Sequence, residues 1–169
     1  MNLKPDIVVL PPSWYVGLQT RFIATGTEQA NTMIVLPELW NEFFRRASEI
    51  SSIAADGAFF GLSDTPESRQ LERRHPDEGI YLASAQTSQG AHLPPDMNRW
   101  SIPGGMHLKF EHHGHVSKLS GTITRIYDEW FPNNTAERAQ APTIERYDHR
   151  FDPFSDNSML EILVPIRMG

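Results

Sequence analysis

Leu119-Ser120-Gly121-Thr122-Ile123-Thr124-Arg125-Ile126-Tyr127-Asp128-Glu129-Trp130 sets apolar or aromatic side chains at offsets 0, 4, 7, 8 and 11, at Leu119, Ile123, Ile126, Tyr127 and Trp130. That spacing gathers them on one face of a helix. The same offsets recur earlier at Leu36, Trp40, Phe43, Phe44 and Ala47, with Pro37 and Glu38 suited to the first turn of that helix. The surroundings recur too. Ile7 to Phe22, broken at Pro11-Pro12, reads as a first strand, and Ala58 to Leu62 and Gly79 to Ala85 follow the first helix as two more, joined by the charged stretch 63–78. Around the second helix, Trp100 to His113 reads as extended, with an interruption at Pro103-Gly104-Gly105. Pro132-Asn133-Asn134 stops the helix, and Thr143 to Phe151 and Met159 to Ile166 complete the pattern. The turn-rich stretch 86–98, with Gly90 and Pro94-Pro95, joins the halves. The expectation is an α+β fold of two β-α-β-β units related by a pseudo-two-fold. They form one domain over 1–169: repeat one at about 6–86, a connector at 87–98 and repeat two at about 99–167. Aligning Leu39 to Phe44 with Ile126 to Phe131 shifts the helices by one turn, so the register of the duplication stays open. A ligand cleft is expected where the units meet.

Composition narrows the function. With 169 residues, 39% hydrophobic and 10% aromatic, the chain can build a core and is not disordered. Mean hydropathy of −0.42, with no long apolar run, argues against a membrane span. A net charge of −6 has the wrong sign for direct nucleic-acid binding. The chain has no cysteine, and Met1-Asn2-Leu3-Lys4-Pro5 lacks the apolar run of a secretion signal, so a cytoplasmic location is expected. Gly-x-Ser-x-Gly and phosphate-loop patterns are missing. The histidines His107, His112, His113 and His115 lack the carboxylate-histidine spacing of a metal site; no metal or other cofactor is expected.

Alternation in the strand Thr143-Ile144-Glu145-Arg146-Tyr147 puts Thr143, Glu145 and Tyr147 on one face. If that face lines the cleft, a carboxylate beside aromatic rings is a site for a lipophilic cation, through charge and cation-π attraction. A salt bridge at a strand edge is the plain alternative for such a glutamate. The many aromatics near the helices, Trp40, Phe43 and Phe44 among them, read first as core. Tyr127 and Trp100, which carry polar groups, are the better candidates for ligand contact.

Four motifs in order resemble the effector-binding domain family, the GyrI-like family, also found as the ligand domain of AraC-type and MerR-type multidrug regulators. They are Ile102-Pro103-Gly104-Gly105-Met106-His107-Leu108-Lys109-Phe110-Glu111-His112-His113-Gly114, Ile126-Tyr127-Asp128-Glu129-Trp130-Phe131-Pro132, Pro142-Thr143-Ile144-Glu145-Arg146-Tyr147 and Glu161-Ile162-Leu163-Val164-Pro165-Ile166. The resemblance spans Trp14 to Arg167, with Phe60-Gly61-Leu62-Ser63-Asp64 echoing the family's first-half strand. It implies a duplicated β-α-β-β fold and a buried pocket glutamate at Glu145 with Tyr147 as its companion. It also implies an aromatic lining that suits Trp100, Phe110, Tyr127 and Trp130. His107 stands where the family often has tyrosine, and a protonated imidazole there would oppose a cation.

Regulators of the family carry a helix-turn-helix unit before the ligand domain, whereas here the first strand starts within ten residues. The expectation is therefore a stand-alone protein that binds lipophilic, cationic small molecules and has no DNA reader of its own. It would act by sequestration or through a protein partner such as a separate regulator. Two other readings stand beside it. One is a hydrolase in which Glu145 and Tyr147 activate water. The other is a gyrase-inhibitor-like interaction module that uses its acidic surface against a protein partner.

Overall fold

The Pro11-Pro12 break divides what reads as one strand into two that go to opposite ends of the sheet. The computed structural model describes residues 3–24 and 26–167, so Met1 and Asn2 of the opening stretch lie outside it. β1 (Asp6–Leu10) pairs antiparallel with β6 (Gly105–His113), while β2 (Ser13–Ile23) lies between β4 (Glu78–Thr87) and β5 (Asn98–Ile102). Proline has no N–H to continue a ladder, so the chain leaves its first partner there. Pro103-Gly104 does the same between β5 and β6. The two breaks abut, and a Cβ on Gly104 would sit 2.9 Å from the carbonyl oxygen of Leu10 and from Cδ of Pro12.

β3 (Phe59–Asp64), β8 (Thr143–Tyr147) and β9 (Met159–Arg167) complete the order β1-β6-β9-β8-β3-β4-β2-β5, and β7 (Glu137–Arg138) pairs with the end of β9. The order is its own mirror under exchange of halves: β1 with β5, β2 with β6, β3 with β8 and β4 with β9. β5 starts as far after β1 as β6 does after β2. Carried through the pairing registers, that spacing makes Gly61 the counterpart of Glu145. Those two residues are paired with each other across the β3–β8 ladder, so the pseudo-two-fold passes between them.

Both helices lie on one face of this sheet. α1 (Thr32–Arg46) starts four residues before the first of its periodic apolar positions, so Pro37 sits inside the helix rather than in its first turn. The carbonyl that Pro37 cannot serve belongs to Met33, a solvent-exposed residue, where water can supply a donor. Phe43 of α1 is fully buried against Val16, Leu18, Ala83 and Ala85. α2 (Leu119–Arg125) continues through a wider π turn at Ile126–Trp130 and a 3-10 turn at Phe131–Asn133, so helical conformation stops where Pro132-Asn133-Asn134 predicts. Ile126 is buried among Leu108, Phe110, Leu160, Ile162 and Val164.

The opposite face carries a core without helices: Tyr15, Phe60, Leu62, Ile80, Leu82, Trp100, Ile102, Ile144 and Leu163. They are buried because the sheet curls on itself. β4 and β9, covered on both faces, are accordingly buried almost without a break. Among the described residues no helix is long and apolar enough to cross a membrane.

Candidate ligand-binding site

Glu145 is a buried carboxylate on the helix-bearing face, in mid-strand on β8. Its Oε1 accepts hydrogen bonds from the hydroxyls of Tyr81 and Tyr147, each at 2.8 Å, and Trp40 Nε1 donates to the Tyr81 hydroxyl at 3.2 Å. Its Oε2 accepts none from the described residues, and it belongs to a residue that lines the cleft between the helices. Space for the carboxylate comes from Gly61. A Cβ there would stand 1.9 Å from the Tyr81 hydroxyl and 2.8 Å from Glu145 Oε1. Burial pushes the Glu145 pKa above the usual carboxylate range, against the opposing pull of the two tyrosine hydrogen bonds. Tyr81 and Tyr147 are pushed well above the ordinary phenol value, by burial and then by the neighbouring carboxylate, and so remain donors.

The cleft has a volume of about 1780 Å³ and is bounded by α1, α2 and the sheet between them. α1 supplies Leu36, Pro37, Trp40 and Phe44, α2 and its π turn supply Leu119, Ile123 and Tyr127, and the loop after β8 supplies Phe151 and Phe154. Rings surround the carboxylate: Trp40 meets Tyr147 edge-on at 5.4 Å, and Phe151 meets Tyr147 at 4.7 Å. Eight carboxylates line the cleft, against Arg138 as its one arginine or lysine among the described residues. Arg21, Arg69, Arg73, Arg146 and Arg150 pair with Glu78, Asp64, Glu67, Asp56 and Asp148. Asp77, Asp128 and Glu145 have no ion pair among the described residues, and of these three only Glu145 is buried. A buried anion without a cation, walled by aromatic rings, is electrostatically complementary to an apolar cation.

Of the residues singled out in the sequence, Glu145, Tyr147 and Tyr127 line this cleft together. The other four lie elsewhere. Trp100 is buried on the far face of the sheet, where it pairs with Tyr15, donates from Nε1 to Gln19 Oε1 at 2.9 Å and lies under the Arg69 guanidinium. β5 attaches outside β2 with that register, which turns the indole away from the helices. Phe110, on the helix-bearing side of β6, and Trp130, at the end of the π turn after α2, pack on each other at 5.4 Å in the core. His107 alternates with Leu108 and Phe110 and so points to the far face, buried, with Nδ1–H donating to Gly105 O at 3.1 Å. Burial depresses its pKa. It therefore neither lines the cleft nor opposes a cation there.

Tyr81 is the cleft residue that sequence reasoning missed. It shares its strand face with Gly79, Ala83 and Ala85, and a lone large ring on a face of small residues is a signal that could have marked it. Trp40, read as core, faces both ways. It packs in the α1 core and reaches Tyr81 in the cleft.

A curled antiparallel sheet with two helices on one face, and an aromatic cleft between them floored by a buried acid that has no ion pair among the described residues, defines a small-molecule-binding domain. The chain matches the GyrI-like small molecule binding domain over residues 3–167 and belongs to that family. Among curated proteins it is 25% identical over 167 residues to the transcriptional regulator BrlR of Pseudomonas aeruginosa. That match covers 98% of this chain and 56% of BrlR, so the chain spans little more than half the length of its relative. Among solved structures it shares its fold with SAV2435 bound to tetraphenylphosphonium, with a TM-score of 0.70 and 14% identity, covering 97% of this chain and 94% of that one. It is also similar to the C-terminal domain of EcmrR, with a TM-score of 0.65 and 16% identity over the full length of both. The domain is thus related to the effector domains of transcription regulators.

Proposed function

We propose that the cleft binds lipophilic organic cations, with Glu145 as the counter-charge, and that the domain reports its occupancy to transcriptional machinery. The observation that carries this reading is the half-used carboxylate: two tyrosines hold Oε1, and Oε2 is left to the cleft. An anion buried in this way is destabilising by several kcal/mol until it is protonated or paired, and an incoming cation removes that cost. SAV2435, whose structure holds tetraphenylphosphonium, supports the ligand class. The likeness to BrlR supports the regulatory context. Aromatic walls with one central charge impose few directional demands, so a broad ligand range follows.

The test is titration of the intrinsic fluorescence, to which Trp40 at the cleft contributes, with tetraphenylphosphonium and with neutral triphenylphosphine oxide. In Glu145→Gln the cation should bind about tenfold or more weakly, a loss of about 1.4 kcal/mol or greater, while the neutral compound changes little. Equal weakening of both compounds would show that the carboxylate shapes the cleft without selecting charge.

A further inference from the structure

We infer that the cleft holds a second polar anchor, Arg138, and that its preferred ligands are amphoteric, with an acidic or strongly accepting group at a distance from the cationic centre. The inference rests on the Glu145 reading of the same cleft and extends it. Arg138 lines the cleft, yet it forms no ion pair or hydrogen bond with any described residue through its side chain. What holds it is an aromatic face: the guanidinium carbon lies 4.3 Å from the centroid of the Tyr127 ring. Tyr127 is itself fixed, with its hydroxyl 3.0 Å from Thr143 Oγ1 and its ring stacked on Phe131 at an interplanar angle of 12°. The backbone beneath Arg138 is fixed as well, through β7 pairing with β9 and through Ala139 N–H donating to Pro165 O at 2.9 Å.

A guanidinium has five N–H donors in a rigid fork suited to a carboxylate or phosphate, and stacking on a ring leaves the fork's edge free. In a chain of net charge −6, with acids prevailing along the cleft, an arginine without a carboxylate is placed to receive a group from outside the protein. Thr143, which holds the Tyr127 hydroxyl, shares a strand face with Glu145 two residues on. The cationic and anionic anchors thus stand at two ends of one contiguous row: Arg138, Tyr127, Thr143, Glu145. A molecule lying along that row meets a ring, a hydroxyl and then the buried carboxylate.

The experiment compares two phosphonium ions of the same bulk, pentyltriphenylphosphonium and (4-carboxybutyl)triphenylphosphonium, by calorimetric titration of the wild type, Arg138→Gln, Arg138→Lys and Glu145→Gln. Arg138 is exposed, so its variants should fold. The carboxylate-bearing ion should bind the wild type about five- to tenfold more tightly than the pentyl ion. Arg138→Gln should abolish that preference without weakening the pentyl ion, and Arg138→Lys, which keeps the charge but not the fork, should restore only part of it. Equal affinities in the wild type, or a preference that survives in Arg138→Gln, overturns the second anchor and leaves the Glu145 reading standing. If Glu145→Gln weakens neither ion while Arg138→Gln still removes the preference, the Glu145 reading falls and the anchor stands. No binding of either ion overturns both.

Discussion

Gly61 and Glu145 face each other across the pseudo-two-fold, and the functional asymmetry of the molecule lies in that one pair. The first half contributes a residue with no side chain so that the second can contribute a carboxylate, and Tyr81 fills the space between. Gly61→Ala would drive a methyl group into the Tyr81 hydroxyl and against Glu145. Because Tyr81 is fully buried, the strain should destabilise the fold by about 1–3 kcal/mol and displace one of the two donors to Oε1. Thermal melts and tetraphenylphosphonium titration together check this; unchanged affinity with the variant folded would mean that the Tyr81 bond does not set the carboxylate. Glu145 also fixes a pH dependence. Its pKa is raised in the folded protein, so the folded state holds the proton up to higher pH than the unfolded chain does. Glu145 should accordingly contribute a loss of stability in the ligand-free protein as pH rises from the ordinary carboxyl range through the raised value, levelling off above it; Asp64, also raised by burial, acts in the same sense and His107, lowered by burial, in the opposite one. Cation affinity should run the other way, falling as pH drops through the same window, because only the carboxylate pairs with the ligand. Glu145→Gln should flatten the affinity curve and remove this component from the stability curve, and Tyr147→Phe, which removes one donor to the carboxylate, should move both midpoints of the Glu145 component upward. Melts and titrations between about pH 4 and pH 8 would show it, and an affinity independent of pH in the wild type would contradict the assignment.

Elements were legible to the extent that one periodicity governed them. The shared offsets located both helices, although α1 begins earlier than its apolar stripe and α2 passes into a π turn at Ile126. Thr143, Glu145 and Tyr147 share a face as strand alternation requires, and it is the face toward the cleft. The sequence does not carry the faces of the remaining strands, because this sheet is buried on both. Trp100 and Phe110 alternate with the polar neighbours Arg99, Ser101, Lys109 and Glu111, and His107 is buried on the other side of its strand from Phe110, but alternation alone does not say which side bears helices. Trp130 failed for a related reason. The apolar stripe of each helix is wide enough to cover the sheet and wall the cleft at once, so Phe43 and Trp40 in α1, or Trp130 and Tyr127 after α2, differ in destination while matching in pattern. The separation of β1 from β2 was announced by Pro11-Pro12, but the partner each strand takes depends on long-range register.

At the scale of the whole molecule, the exchange of edge strands decides how the halves behave together. β1 precedes α1 in the chain yet pairs with β6, and β5 precedes α2 yet pairs with β2, while β3 and β8 join the halves at the centre. Neither half can complete its own edge, because a unit without the other's strand would leave a long run of unpaired N–H and C=O groups and an open apolar core. The two repeats should therefore unfold as one cooperative unit despite their internal symmetry. The tryptophans report on both: Trp14 on β2, Trp40 on α1, Trp100 on β5 and Trp130 in the π turn after α2. Fluorescence of the wild type and of variants that each retain one of the four tryptophans, followed with far-ultraviolet circular dichroism in urea, should give midpoints that coincide between the two signals for each protein. The cleft walls come from both halves, so a bound cation should raise those midpoints together, adding about 2.7 kcal/mol of stability at a ligand concentration one hundredfold above Kd. Two resolved transitions, or a ligand-induced shift confined to the tryptophans of one half, would mean that the exchanged strands do not couple the repeats and that the cleft is held by one of them alone.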